Sequence, residues 1–152
     1  MKLTITLTCA AVLCSSFFLL SVPYVQAQDD QGNGRPCSLK TLKGSYGSLY
    51  TGFVRDFPDP GQNPIVIRSL DTFDGEGHMT EVGNSMLSGT TQFEGGGTAA
   101  YEVNPDCSGA YHLNLGGGCC IDARFQIVQN GTEVLGILTT SSYTVSFHSQ
   151  KQ

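Results

Sequence analysis

The sequence predicts an all-β fold: a single eight-stranded antiparallel up-and-down barrel with a short helical turn before its first strand. Three observations carry this. Runs of Thr, Val, Ile, Tyr and Phe alternate with polar residues at a period of two. Nineteen glycines, all after residue 27, punctuate those runs and supply the positive φ that tight turns require. No segment carries apolar residues at helical spacing over several turns.

The chain opens with Lys2, an apolar stretch and the small-residue pattern Val25-Gln26-Ala27, which reads as a signal peptide over residues 1–27 and a secreted or periplasmic protein. The apolar part is too short for a membrane span, which takes about 18 apolar residues. Leu13 before Cys14 speaks against a lipid anchor. Residues 28–36, "QDDQGNGRP", are polar and without periodicity and are expected to be disordered. The barrel domain is placed at 37–150.

Ser38 can cap a helical turn over Leu39 to Lys43, and the first strand follows from about Ser45 to Val54. "RDFPDPGQNP" (55–64), with three prolines, is a loop. A second strand runs from about Ile65 to Phe73, "DGEG" (74–77) is a hairpin turn, and a third strand covers His78 to Leu87. Ser88 to Gly97 reads as a broken stretch holding a short strand-like "TTQF". Strands then follow at 98–104 and 110–115, with "GGG" (116–118) as a turn, and at 119–128, where Ile121, Ala123, Phe125 and Ile127 alternate with polar residues. Asn130-Gly131 predicts a type I′ hairpin, leading into "TEVLGILTT" and "SSYTVSFHS". Short links between sequence neighbours favour a closed barrel over a two-sheet sandwich, which needs longer crossovers.

Without residues 1–27 the net charge is −6, seven basic residues against 13 acidic ones. The basic patches that nucleic acids and anionic membranes need are missing. No phosphate loop, dinucleotide fingerprint, H-E-x-x-H or nucleophile elbow occurs, "GNSML" at 83–87 lacking the closing glycine, so neither a cofactor nor a catalytic residue is assigned.

Cys37, Cys107, Cys119 and Cys120 are expected to be disulfide cysteines in an exported chain. If the strands at 110–115 and 119–128 pair across "GGG", Cys107 and Cys119 stand at opposite ends of that hairpin, which makes a direct bridge between them geometrically difficult. Cys37–Cys107 is the preferred pair, with Cys119 and Cys120 vicinal, oxidised or not; the alternative joins Cys37 to Cys119 or Cys120. His78, His112 and His148 lack zinc spacing, so no metal is expected. Asp71, Asp74, Glu76 and Glu81 invite a calcium reading but lack EF-hand spacing, and the Asp-Gly turn accounts for them. Glu102 and Asp106 read as a strand-face residue and a turn residue, and the sequon at Asn130 as part of its hairpin.

"CSLKTLKGSYG", "FDGEGHMT", "YEVNPDCSGAYHL" and "FQIVQNGTEV" resemble the secreted, allene oxide cyclase barrel-like family. The resemblance implies a calycin-like barrel, similar also to dirigent proteins, whose lumen holds an apolar substrate and steers its cyclisation or coupling. Such relatives often associate, so a homo-oligomer is an option. Tyr46, Tyr101, Tyr111, Phe125, Tyr143 and Phe147 sit on alternating positions and are the candidate lumen residues. Two functions compete: a barrel that binds a small apolar molecule, with isomerase- or cyclase-like activity as an extension, and a non-catalytic interaction module whose barrel is filled.

Overall fold

The computed structural model describes residues 35–55, 60–116 and 119–152, with side chains for all of these except 91–94 and 119. The expected signal peptide lies outside the described residues, as does the part up to residue 34 of the segment expected to be disordered.

Eight strands form one closed antiparallel barrel in sequence order: β1 (Gly44–Arg55), β2 (Gln62–Phe73), β3 (His78–Leu87), β4 (Thr90–Val103), β5 (Ser108–Gly116), β6 (Cys119–Val128), β7 (Glu133–Leu138) and β8 (Tyr143–Lys151). Closure is made by β1 against β8, in register from Tyr46↔Lys151 to Val54↔Tyr143. Every strand thereby finds two partners, β4 meeting β5 over Thr98–Val103. The alternation seen in the sequence is the alternation of burial: Ile121, Ala123, Phe125 and Ile127 are buried and Asp122, Arg124 and Gln126 exposed.

A 3-10 turn, Leu39–Leu42, precedes β1 and closes one end of the barrel. Its Leu42 is fully buried, and the Cys37–Cys107 disulfide ties the segment to the turn between β4 and β5. That is the preferred pairing from the sequence. Tyr46 reaches the same end from β1 and donates to the carbonyl of Gly131 at 2.5 Å. Tyr101 donates to the Leu39 carbonyl (3.2 Å) and accepts from the Gly75 amide (3.0 Å). Their rings both meet Phe73 edge-on, at centroid distances of 5.4 and 5.1 Å.

Three local expectations are corrected. The stretch around Gly95-Gly96-Gly97 is no break, because β4 runs unbroken through it with one register shift against β3 at Ser85/Met86. A Cβ on Gly96 would stand 2.0 Å from the Glu81 carbonyl, so the glycines let β3 and β4 approach closely. At Asn130-Gly131 the loop holds four residues, since Val128 pairs with Glu133. Gln129, Asn130 and Gly131 all take positive φ there, of 48°, 57° and 85°, because the chain must bend over Thr41, whose carbonyl lies 2.6 Å from where a Gly131 Cβ would be. Cys120 is a free, exposed thiol rather than a bridged one; the side chain of Cys119 is outside the described residues.

The outer face of β1, β2 and β3 exposes Leu49, Phe53, Val66, Leu70, Val82 and Met86. Leu70 pairs directly with Val82, and Val66 with Met86.

Candidate functional site

Inward positions on β1 are Tyr46, Ser48, Tyr50 and Val54; the neighbouring β8 supplies Phe147, directly paired with Tyr50, and β5 and β6 supply Tyr111 and Phe125. The rings form one cluster, with centroid distances of 4.9 Å for Tyr50–Phe147, 6.0 Å for Tyr111–Phe147 and 6.3 Å for Tyr111–Phe125. Glycines on adjacent strands make room for it: a Cβ on Gly109 or Gly136 would fall 2.3 Å from Phe125 Cζ or Phe147 Cζ. Of the six candidate lumen residues, Tyr46, Tyr101, Tyr111, Phe125 and Phe147 are buried. Tyr46 and Tyr101 belong to the closed end, whereas Tyr111, Phe125 and Phe147 meet at the centre. Tyr143, the first residue of β8, is half-buried and packs against the core.

Beside these rings lies a polar layer that was not expected from the sequence. Asp71 on β2 and Glu81 on β3 are direct cross-strand partners, and both point inward and are buried, along with Ser48 and Ser149. Asp71 is well supplied with donors. Ser69 donates to its Oδ1 at 2.7 Å and Ser48 to its Oδ2 at 2.5 Å, while Ser149 Oγ lies 2.7 Å from Ser48 Oγ. Tyr50 OH is 3.2 Å from Asp71 Oδ2 and 3.2 Å from Tyr111 OH. A relay in which Tyr111 donates to Tyr50 and Tyr50 to Asp71 satisfies all three groups.

Glu81 is different. Its Oε2 is buried with no hydrogen-bond partner among the described residues. Burial, then the neighbouring Asp71 carboxylate, push its pKa up from 4.5 to about 8. Burial also raises Asp71, against the lowering effect of its hydrogen bonds from Ser48, Ser69 and Tyr50. The Asp71 hydrogen bonds all run towards the carboxylate, so the pair holds one negative charge on Asp71 and one proton on Glu81 at neutral pH. Burial likewise pushes the Tyr50 and Tyr111 hydroxyls well above their ordinary value.

The acidic segment around "DGEG" thus divides by position. Asp74 serves the turn, its Oδ1 accepting from the amides of Glu76 (2.6 Å) and His78 (3.0 Å), which hold its carboxyl down at about 2. Asp71 and Glu81, two residues inward from Phe73 and Met79 on the buried parity, enter the lumen. Glu102 faces solvent, and Asp106 stays in its turn, accepting from the Ser108 amide (3.0 Å) and hydroxyl (2.7 Å). The histidines are exposed, each beside an acid: His78–Asp74 at 3.0 Å, His112–Asp122 at 2.7 Å and His148–Glu133 at 3.3 Å. Among the described residues no three His, Cys, Asp or Glu side chains gather as metal ligands.

A concavity of about 500 Å³ lies on the outside of β4–β6, where His112, Asp122, Arg124 and Glu102 line it. Its polar groups stand in open solvent, and His112 and Asp122 already satisfy each other. The lumen layer is the stronger site, because desolvated groups interact far more strongly than exposed ones. Inward-facing Ile67, Ser69 and Ser85, on the β2–β3 wall next to the acids, are only half-buried.

No family profile, curated protein or solved structure matches the chain.

Proposed function

We propose that this barrel binds a small, largely apolar molecule in its lumen and anchors it at the Asp71–Glu81 pair. The observation that carries the reading is the buried, unpartnered Glu81 Oε2 beside a second buried carboxyl. A barrel that only needed a core would gain stability from apolar residues at both positions, since an unmet buried polar atom costs about 1–3 kcal/mol. Buried, perturbed acids next to aromatic walls are the ordinary furniture of a binding site. The resemblance to allene oxide cyclase barrel-like proteins extends the proposal to isomerase- or cyclase-like turnover of the ligand. A disulfide-closed barrel suits a secreted or periplasmic setting.

A second reading, a filled module acting through its surface, is favoured by the mutual packing of Tyr50, Tyr111, Phe125 and Phe147. Incubating the purified protein with a lipid and natural-product extract, then identifying retained compounds by mass spectrometry, separates the two. A compound retained by the protein and lost in Glu81→Met supports the lumen reading. Retention no greater than by an unrelated β-barrel control refutes it.

A further inference from the structure

The unbalanced charge of the lumen bears on what its ligand carries, an inference that rests on the lumen-binding reading above. We propose that the group recognised there is a protonated amine on an otherwise apolar body, held between Asp71 and Glu81 and walled by the rings of Tyr50, Tyr111, Phe125 and Phe147.

Four observations lead to this. First, the two acids face each other across adjacent strands with no internal counter-ion. Every Lys and Arg among the described residues is exposed, and the His78, His112 and His148 side chains are 79, 58 and 52% exposed. The missing partner of an acidic pair in a dry site is a cation. Second, Glu81 Oε2 is an unused acceptor once ionised, while Asp71 already takes three hydroxyl donors and retains lone-pair capacity. An ammonium group brings three N–H donors and no acceptor, so it can serve both carboxylates at once; a neutral carbonyl or ether would meet only the single proton on Glu81. Third, the walls are electron-rich ring faces, which attract an organic cation and accommodate its apolar body. Fourth, the wall beside the acids is only half-buried at Ile67, Ser69 and Ser85, and is the side from which a ligand would enter. A metal ion fits less well, because fewer than three metal-binding side chains meet here.

The proton balance is fixed by the same geometry. The titratable groups facing Glu81 are Asp71 on β2, Tyr50 on β1 and Tyr111 on β5. On β4 the residue opposite is Gly97, and β8 contributes Phe147 and Ser149. Of these groups Glu81 is the one holding a proton that it can release near neutral pH. An alkylamine stays protonated over pH 6–8, so its binding expels one proton from Glu81 to solvent.

Isothermal titration calorimetry of the purified protein with benzylamine and its neutral isostere benzyl alcohol, at pH 6, 7 and 8 in buffers of different ionisation enthalpy, tests this. We expect benzylamine to bind at least tenfold more tightly than benzyl alcohol at pH 8. Its affinity should rise by up to about tenfold per pH unit, with about one proton released. Glu81→Gln and Asp71→Asn should each reduce the preference for the amine at least fivefold while leaving the folded spectrum unchanged. Equal affinity for the two probes, or an amine preference that survives both substitutions, overturns the amine inference and leaves the lumen reading standing. If neither probe binds, the inference falls, and the extract experiment decides separately whether a neutral ligand occupies the lumen.

Discussion

Glu81 makes the stability of this protein depend on pH in a direction opposite to that of most carboxylates. In the unfolded chain its carboxyl titrates near 4.5, and in the barrel near 8. Below about pH 4.5 both states hold the proton, and Glu81 exacts no penalty. As pH rises towards 8 the unfolded chain gives up its proton while the folded chain keeps it, so stability falls. At about 1.4 kcal/mol per pH unit the loss is on the order of 3 kcal/mol at pH 7 and 5 kcal/mol by pH 8, where it levels off. Glu81→Gln replaces the acid by a neutral side chain of similar shape and removes the dependence. Urea unfolding of both proteins from pH 4 to 9 measures it. The variant should match the parent near pH 4 and exceed it by about 4–5 kcal/mol at pH 8, equivalent to roughly 20 °C in melting temperature. Curves that run parallel across this range would mean that Glu81 is not held protonated by its burial beside Asp71, and would refute the reasoning.

Two further outcomes concern the scaffold. Replacing Cys37 and Cys107 together by Ala frees a loop spanning 70 positions and should lower unfolding free energy by about 4 kcal/mol through denatured-state entropy; Cys120→Ser, at an exposed free thiol, should leave the urea midpoint where it is. Gly109→Ala drives a methyl to within 2.4 Å of the Glu102 carbonyl and 2.3 Å of the Phe125 ring, so circular dichroism melts should report a loss of about 1–3 kcal/mol, and an unchanged melt would show that β4 and β5 are not packed as described.

Much of the architecture was legible because the signals behind it are local. Period-two alternation in Ile121 to Ile127 marks one buried face whatever that face meets, and Asp74-Gly75 turns the chain by its own backbone preferences. Cys37–Cys107 was reachable because hairpin pairing keeps Cys107 away from Cys119. The misreadings arose where a local rule met a tertiary demand. Gly95-Gly96-Gly97 breaks a strand in isolation, yet here it lets β4 lie close to β3. Asn130-Gly131 would make a two-residue turn, but packing against Thr41 widens the loop. Asp71 and Glu81 were read with the turn rather than with the lumen for a third reason. They share the buried parity with Phe73 and Met79, a signal present in the sequence, but an acid beside an Asp-Gly turn has an ordinary explanation. Only closure brings Ser48 to Ser149, 101 positions away, and Tyr50 to Tyr111 and Phe147.

The ring also imposes an order of events on the nascent chain. Because β1 pairs with β8, its free edge must wait until the last nine-residue strand, Tyr143–Lys151, has been made. Contacts between segments so far apart place the protein among slow-folding topologies. During that interval the waiting edge sits next to Leu49 and Phe53, so a chain truncated before Tyr143 would present bare amides and a greasy outer face together, the combination that drives strand-to-strand aggregation.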